Sequence, residues 1–274
     1  MTPNPSVVEV PAERWDNGVL QLTRDLVANE VGLAIAYNGQ AFVVMMATPA
    51  DLEDFVLGFS LSEGIIAAPN ELLDIELRIL PAGIEANAEI TGKRFRALNR
   101  KQRNLAGRIG CGLCGVQTLA QAMRQPPPLA IASAVSSQVL HNGMAWLSRM
   151  QPLNASTGAL HAAGWIDSNG GMLVVREDVG RHNALDKLIG ALARSRPLPL
   201  GGAILITSRA SHEIVLKAAT VGVEILCAIS APTALAIRVA SETRMTLIGF
   251  AREGRYTTYT HLERIQSLAE CVGA

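Results

Sequence analysis

Two thiols three residues apart, Cys111 and Cys114, stand in the hexapeptide Gly110-Cys111-Gly112-Leu113-Cys114-Gly115. The three glycines let the backbone bend freely and be approached closely. Thiolate is the reactive form of cysteine, and its pKa falls beside cations and at a helix N-terminus. Both conditions are met around Cys111. Seven basic residues and no acid lie between Thr91 and Cys114 (Lys93, Arg94, Arg96, Arg100, Lys101, Arg103, Arg108), and a short helix is predicted from Val116 to Met123. The competing reading of such a pair is half of a structural zinc site, which needs four ligands. Cys227 sits in an apolar run, Cys271 in the tail, and His182, His212 and His261 are scattered singly, so the other half is missing. A thioredoxin-like dithiol expects the pair near the start of a chain in a βαβ context; this pair lies mid-chain, after a basic stretch.

A second group of candidate residues lies in four loops. Glu177-Asp178-Val179-Gly180-Arg181-His182-Asn183, Ser208-Arg209-Ala210-Ser211, Ser230-Ala231-Pro232-Thr233 and Ala251-Arg252-Glu253-Gly254-Arg255 each follow a strand-like apolar run. Where such strands are parallel their carboxyl ends share one edge, and ligands bind in the crevice there. Three of the loops lead into helices, whose free amides and dipoles favour anions. Arg181, Arg209, Arg252 and Arg255 add guanidinium groups that can fork onto phosphate. Asp178, Arg181, His182, Ser208, Arg209 and Ser230 are therefore candidate contacts for a polar, phosphorylated molecule. Singly, each has a structural alternative: Ser211 and Ser230 as helix caps, Asp178 with Arg181 as a surface ion pair, His182 as a satisfied turn residue.

The elements that must position these residues divide at Pro126-Pro127-Pro128, whose stiffness and lack of donors mark the best domain boundary, with domains over 1–128 and 129–274. Before it, Val31 to Tyr37 and Gln40 to Met46 read as a hairpin about Asn38-Gly39. A helix follows, with Thr48 as cap, Pro49 at its first position and Gly64 after its end. Asp74 to Leu80 and Ile84 to Ile90 make a second strand pair. The stretch from Thr91 to Cys114 reads as a mobile basic loop. After the prolines comes an amphipathic helix around Ser136 to Met150. Then strands (Met172–Arg176, Ala203–Thr207, Glu224–Ile229, Met245–Phe250) alternate with helices (Asn183–Ala193, Ser211–Val221, Pro232–Glu242). That alternation predicts an α/β domain with a largely parallel sheet covered on both faces.

Composition narrows the classes further. The 274 residues are 49% hydrophobic, ample for a packed core, and basic and acidic residues balance at 24 each. Zero net charge gives no global reason to expect nucleic acid or an anionic membrane as partner. No apolar run approaches the ~20 residues of a membrane helix, and Met1 to Arg14 lacks the basic start and apolar stretch of a secretory signal. A soluble protein that stays in the cytoplasm is expected. Four cysteines make no disulfide framework for a chain of this size.

The Cys111 hexapeptide, together with Arg176-Glu177-Asp178-Val179-Gly180-Arg181-His182-Asn183-Ala184-Leu185-Asp186-Lys187, resembles the FdhD family of formate dehydrogenase accessory sulfurtransferases. Further matches run Thr207 to Ser211, Ser230 to Ala236 and Phe250 to Arg255, with order and spacing kept from the first hairpin to Tyr256. The resemblance implies a carrier that accepts persulfide sulfur from a cysteine desulfurase. It would deliver that sulfur to the bis(molybdopterin guanine dinucleotide) form of molybdenum cofactor, for formate dehydrogenase. It implies that Cys111 carries the persulfide with Cys114 as its partner, and that Phe250, Ala251, Arg252, Glu253, Gly254 and Arg255 contact the cofactor. It also implies a homodimer whose C-terminal three-layer domain is cytidine deaminase-like and follows a smaller N-terminal α+β domain.

Two rivals come from other classes. A zinc deaminase expects His-x-Glu and, downstream, Pro-Cys-x-x-Cys; here the CxxC precedes the α/β run and has Gly before it. A chaperone that holds the cofactor without sulfur chemistry would have the same polar loops, and only the cysteine pair separates it from a sulfurtransferase. Nucleic-acid binding by the basic stretch lacks stacking aromatics, since only Phe95 lies there.

Overall fold

The structure, a computed structural model, describes residues 5–106, 126–130, 134–194, 201–252 and 254–266. Cys111, Cys114, Cys271, Glu253 and the helix expected over 116–123 lie outside the described residues.

The chain opens with an antiparallel ribbon, β1 (Val7–Asp16) and β2 (Val19–Ala28), turning at Asn17-Gly18 with both residues at positive φ. The expected hairpin follows as β3 (Val31–Tyr37) and β4 (Gln40–Ala47), then α1 (Leu52–Ser62), β5 (Leu72–Leu80) and β6 (Gly83–Ile90). These strands form a sheet in the order β4-β3-β6-β5. Its inward residues Leu33, Ile35 and Tyr37 alternate along β3 as a half-buried strand requires and pack on Phe55 and Phe59 of α1. Thr48 does not cap α1. The N-cap position is Asp51, in a left-handed conformation and without a side-chain cap bond. Thr48 is fully buried instead: its N–H donates to Asp178 Oδ2 (3.0 Å) and its hydroxyl accepts from Val179 N–H (3.1 Å). A buried carboxylate needs donors more than a helix end does, because the helix end has water.

The expected basic loop is corrected by α2 (Gly92–Ala106). Its residues are nearly all good helix formers once charge is set aside. Phe95 and Leu98, three apart, turn into the core, and Arg94 ties to Glu71 at 2.7 Å. Charge without glycine or proline does not break a helix; the glycines that suggested a loop, Gly107 and Gly110, come after it.

In the second half, β7 (Val135–Ser136) leads into α3 (Ser137–Arg149), capped by the Ser136 hydroxyl on Val139 N–H. Then come α4 (Pro152–Thr157), β8 (His161–Asp167), β9 (Met172–Asp178), α5 (Arg181–Arg194), β10 (Gly202–Ile206), α6 (His212–Thr220), β11 (Ile225–Ala228), α7 (Ala234–Glu242), β12 (Thr246–Arg252), β13 (Arg255–Thr260) and the short β14 (Ile265–Gln266). The fold is α/β, with a six-stranded sheet in the order β13-β12-β11-β10-β8-β9. That sheet is mixed rather than largely parallel: β10-β11 and β11-β12 pair parallel, while β8 runs antiparallel between β9 and β10 and β13 antiparallel to β12. Strands β9 to β12 still share one direction. Two hairpins that the helix-strand alternation did not anticipate supply the reversed strands.

Both faces of this sheet are covered. Along β10, Ala203 and Leu205 face α3, whereas Ile204 and Ile206 face the layer of α5, α6 and α7. Each buried Leu or Ile there contributes about 1.5–3 kcal/mol. The smaller sheet joins through α1, which crosses α5 at glycine on glycine. A Cβ on Gly58 would collide with the Asp186 carbonyl, and one on Gly190 with that of Asp54. One core cluster therefore runs from Leu33 to Leu247. Ion pairs span the same junction: Arg176 and Arg194 both reach Asp54, at 2.7 and 2.8 Å, and buried Lys217 sits between Asp186 (2.9 Å) and Glu63 (2.8 Å).

Candidate functional site

The common direction of β9 to β12 puts their carboxyl ends on one edge, and the reversal of β8 brings its first residue, His161, to the same edge opposite Asp178. Hydrogen bonds stitch the loops of that edge into one ridge. Thr207 N–H donates to the Ala162 carbonyl (3.0 Å), Thr233 N–H to that of Ala210 (3.0 Å) and Phe250 N–H to that of Ser230 (3.2 Å). The His182 ring meets Ser211 Oγ at 3.3 Å. Four loops far apart in sequence are thereby held at fixed spacing.

Asp178 is the anchor. It is wholly buried, and its carboxylate accepts from Gly180 N–H (2.8 Å), Asn183 Nδ2 (2.9 Å), Thr48 N–H and the buried ammonium of Lys187 (2.7 Å). Every lone-pair direction is in use, so Asp178 shapes the turn into α5 from behind. The surface pair with Arg181 does not exist.

That leaves Arg181, the first residue of α5, with no carboxylate partner among the described residues, and its Nε is buried without a hydrogen bond. Its charge is felt by both neighbouring imidazoles. Burial first, and then Arg181, holds His161 below its ordinary 6.5, with Asp178 opposing. Burial also holds His182 below 6.5; Glu213 opposes, and Arg181 and Lys217 add to the depression. Two neutral imidazoles, an unneutralised guanidinium and the N-termini of α5 and α6 converge on one place. Such an arrangement accepts a phosphate-like anion.

Protonating either histidine favours the unfolded chain, because the folded pKa lies below the unfolded one. Their stabilising share is complete above about pH 6.5 and is lost as pH falls through the folded values. Thermal unfolding midpoints should therefore decline below about pH 6.5, less steeply in His161→Gln and His182→Gln. Unaltered slopes in both variants would contradict this.

Ser211 occupies the N-cap position of α6 without making a side-chain cap bond, so the simple capping alternative fails. Nor is it an activated serine. The same nitrogen, His182 Nε2, meets Ser211 Oγ and Glu213 Oε2 (3.1 Å), whereas a relay needs one partner on each ring nitrogen. Thr233, not Ser230, caps α7, accepting from Ala236 N–H at 3.2 Å. Ser208 is buried and donates to the Arg209 carbonyl (3.1 Å), leaving the Arg209 side chain exposed.

At the far end of the ridge a register shift between Gly249 and Arg252 bends β12. Within it Phe250 adopts φ 52° and is 44% exposed, an uncommon conformation for a bulky side chain. Gly249 permits this close packing, since a Cβ there would lie 2.8 Å from Pro232 Cδ. Exposed Arg252 and Arg255 face each other across the hairpin. Like charges in that position destabilise a sheet, while an exposed ring in the same hairpin as two exposed cations suits a flat anionic ligand, the ring stacking and the cations neutralising charge. Ala251 is buried and packs inward.

Cys227 is fully buried and its thiol is pushed up to about 12, so it is inert as a nucleophile. Among the described residues no group of His, Cys, Asp or Glu could hold a metal, and no helix is long and apolar enough to cross a membrane.

Residues 28–266 match the FdhD/NarQ family model. The chain belongs to the FdhD/NarQ family. It is 50% identical over 253 residues to the sulfur carrier protein FdhD of Cupriavidus necator, covering 92% of this chain and 88% of that one. It is 48% identical over 261 residues to the FdhD of Xanthomonas campestris pv. campestris, covering 95% and 93%. In structure it resembles a formate dehydrogenase accessory protein of Desulfotalea psychrophila. The TM-score is 0.74 at 25% identity, over 96% of this chain and all of that one.

In this FdhD/NarQ chain the ridge gathers Asp178, Arg181, His182, Ser208, Arg209, Ser230, Phe250, Arg252 and Arg255, while Cys111 and Cys114 fall outside the described residues. The sequence reading missed His161, Thr48, Lys187 and Glu213. His161 had a signal: Asp167-Ser168-Asn169-Gly170 is a turn between two apolar runs, and recognising it places a strand before Met172. Thr48 had none, because its partner lies 130 residues away.

Proposed function

We propose that the chain is a cytoplasmic sulfur carrier for formate dehydrogenase maturation. Cys111 takes the outer sulfur of a cysteine desulfurase persulfide, with Cys114 as its partner thiol. In loading, the Cys111 thiolate attacks the donor's outer sulfur, the donor S–S bond breaks and the donor thiolate leaves. Delivery is to bis(molybdopterin guanine dinucleotide) molybdenum cofactor, bound as substrate on the ridge. There the Cys114 thiolate attacks the inner sulfur of the Cys111 persulfide and that S–S bond breaks. The outer sulfur leaves as sulfide to the acceptor, and the Cys111–Cys114 disulfide retains the two-electron oxidation. The carrier half rests on family membership, the naming of the relatives and the glycine-flanked thiols. The acceptor half is carried by Arg181, an unpaired guanidinium between two neutral imidazoles, which suits the acceptor's phosphates. Phe250 with Arg252 and Arg255 suits its guanine. The test is transfer of labelled sulfur from the loaded carrier to the cofactor, with activation of formate dehydrogenase. A carrier that binds the cofactor and activates the enzyme while no label moves would be the sulfur-free chaperone instead.

The implied homodimer belongs to the same proposal, and the ribbon supports it. Trp15, Leu20, Leu22 and Leu26 share one face of β1-β2, with Trp15 70% and Leu22 85% exposed. A two-stranded ribbon is marginal in water unless covered. Removing residues 5–29 should give a monomer in sedimentation; a truncated chain that stays dimeric places the interface elsewhere.

A further inference from the structure

The helix α2 carries charge that the fold does not use. Of its cations, Arg94 turns inward to Glu71, while Lys93, Arg96 and Arg100 are exposed. Their spacing of three and four residues puts them on one face, opposite the side on which Phe95 and Leu98 enter the core. None of the three meets a carboxylate among the described residues. Like charges at this spacing destabilise a helix, and a chain with 24 basic and 24 acidic residues has acids to pair them with. Arg100, the last of the three, lies eleven positions before Cys111 in sequence.

We propose that Lys93, Arg96 and Arg100 form a docking surface for the acidic face of the protein that loads sulfur onto Cys111. This rests on the carrier reading above. Small anions are held in concave nests of converging donors, whereas these three cations point outward from an exposed helix face. Nucleic acid is disfavoured because Phe95, the aromatic ring of α2, packs into the core and cannot stack on a base. A row of cations this near the reactive segment in sequence would steer an acidic partner and raise its rate of encounter.

The experiment uses the full chain with Lys93→Glu, Arg96→Glu and Arg100→Glu combined, all at exposed positions, with folding checked by circular dichroism. Cys111 is loaded by a cysteine desulfurase fed labelled cysteine and, separately, by inorganic polysulfide, which needs no protein contact. At low ionic strength the variant's loading rate from the desulfurase, divided by its rate from polysulfide so that any change in the reactivity of the thiol itself cancels, should fall at least about tenfold. In the parent protein, loading from the desulfurase should slow as salt rises while polysulfide loading holds steady, a measurement that stands even if the variant folds poorly. Parental desulfurase rates in the variant, or salt-independent loading of the parent, overturn the docking surface alone. So does a variant that loads normally but loses binding of the cofactor or of an RNA oligomer. A parent whose Cys111 takes sulfur from neither source overturns the carrier reading and the docking surface together.

Discussion

Cys111→Ala is expected to lower sulfur delivery by on the order of a thousandfold or more, since no covalent route remains, and to leave cofactor binding intact. The separation follows from placement. The proposed contacts of the cofactor's phosphates, Arg181, His161 and His182, lie on β8 and at the start of α5, on segments of chain other than the one that carries Cys111. Arg181→Ala should give the reciprocal pattern: weaker cofactor retention, with Cys111 still loaded. The measurements are label transfer from loaded carrier and equilibrium binding of cofactor. A Cys111→Ala protein that still passes labelled sulfur would refute the role of this thiol. Among the described residues the one cysteine, Cys227, offers no substitute, because it is sealed in the core.

The largest expected loss of stability is at Lys187. Its ammonium is wholly buried on Asp178 and also donates to the Thr48 carbonyl (2.9 Å). Lys187→Met keeps much of the volume and leaves a carboxylate buried without its counter-charge, which costs about 3–5 kcal/mol. Urea unfolding should show the midpoint falling by that amount divided by the m-value, with the m-value itself unchanged. Adding Asp178→Asn should recover part of the loss, since the remaining charge is then gone. The double variant should bind cofactor less well than the parent even where it is folded, because Asp178 orders the turn that presents Arg181. A Lys187→Met protein as stable as the parent would show that the pair is not what fixes this turn.

Legibility in the sequence followed the range of the forces involved. The hairpin about Asn38-Gly39, the run of strands and helices after Met172 and the converging loops are local patterns, and the fold keeps them. The basic segment misled because charge density was read as disorder, although Phe95 and Leu98 already carried helical spacing. The parallel sheet was over-read for a similar reason: an alternation of strands with helices passes over hairpins, and the two reversed strands, β8 and β13, both belong to hairpins. Within the site, Arg181 and His182 were legible as residues that like anions. The reason they are free to act was not, because it depends on Lys187 and Thr48 taking up Asp178 across 9 and 130 positions of chain. Those are tertiary contacts with no local signature.

The central claim is that Cys111 holds a sulfur atom it has received. The most direct measurement is the mass of the Cys111 peptide after incubation of the full chain with a cysteine desulfurase and cysteine. The account predicts one additional sulfur atom on Cys111, released by a thiol reductant, and none on the peptide containing Cys227. An unmodified Cys111 peptide under conditions where the desulfurase turns over, or a stoichiometric zinc ion bound to the two thiols, would contradict it.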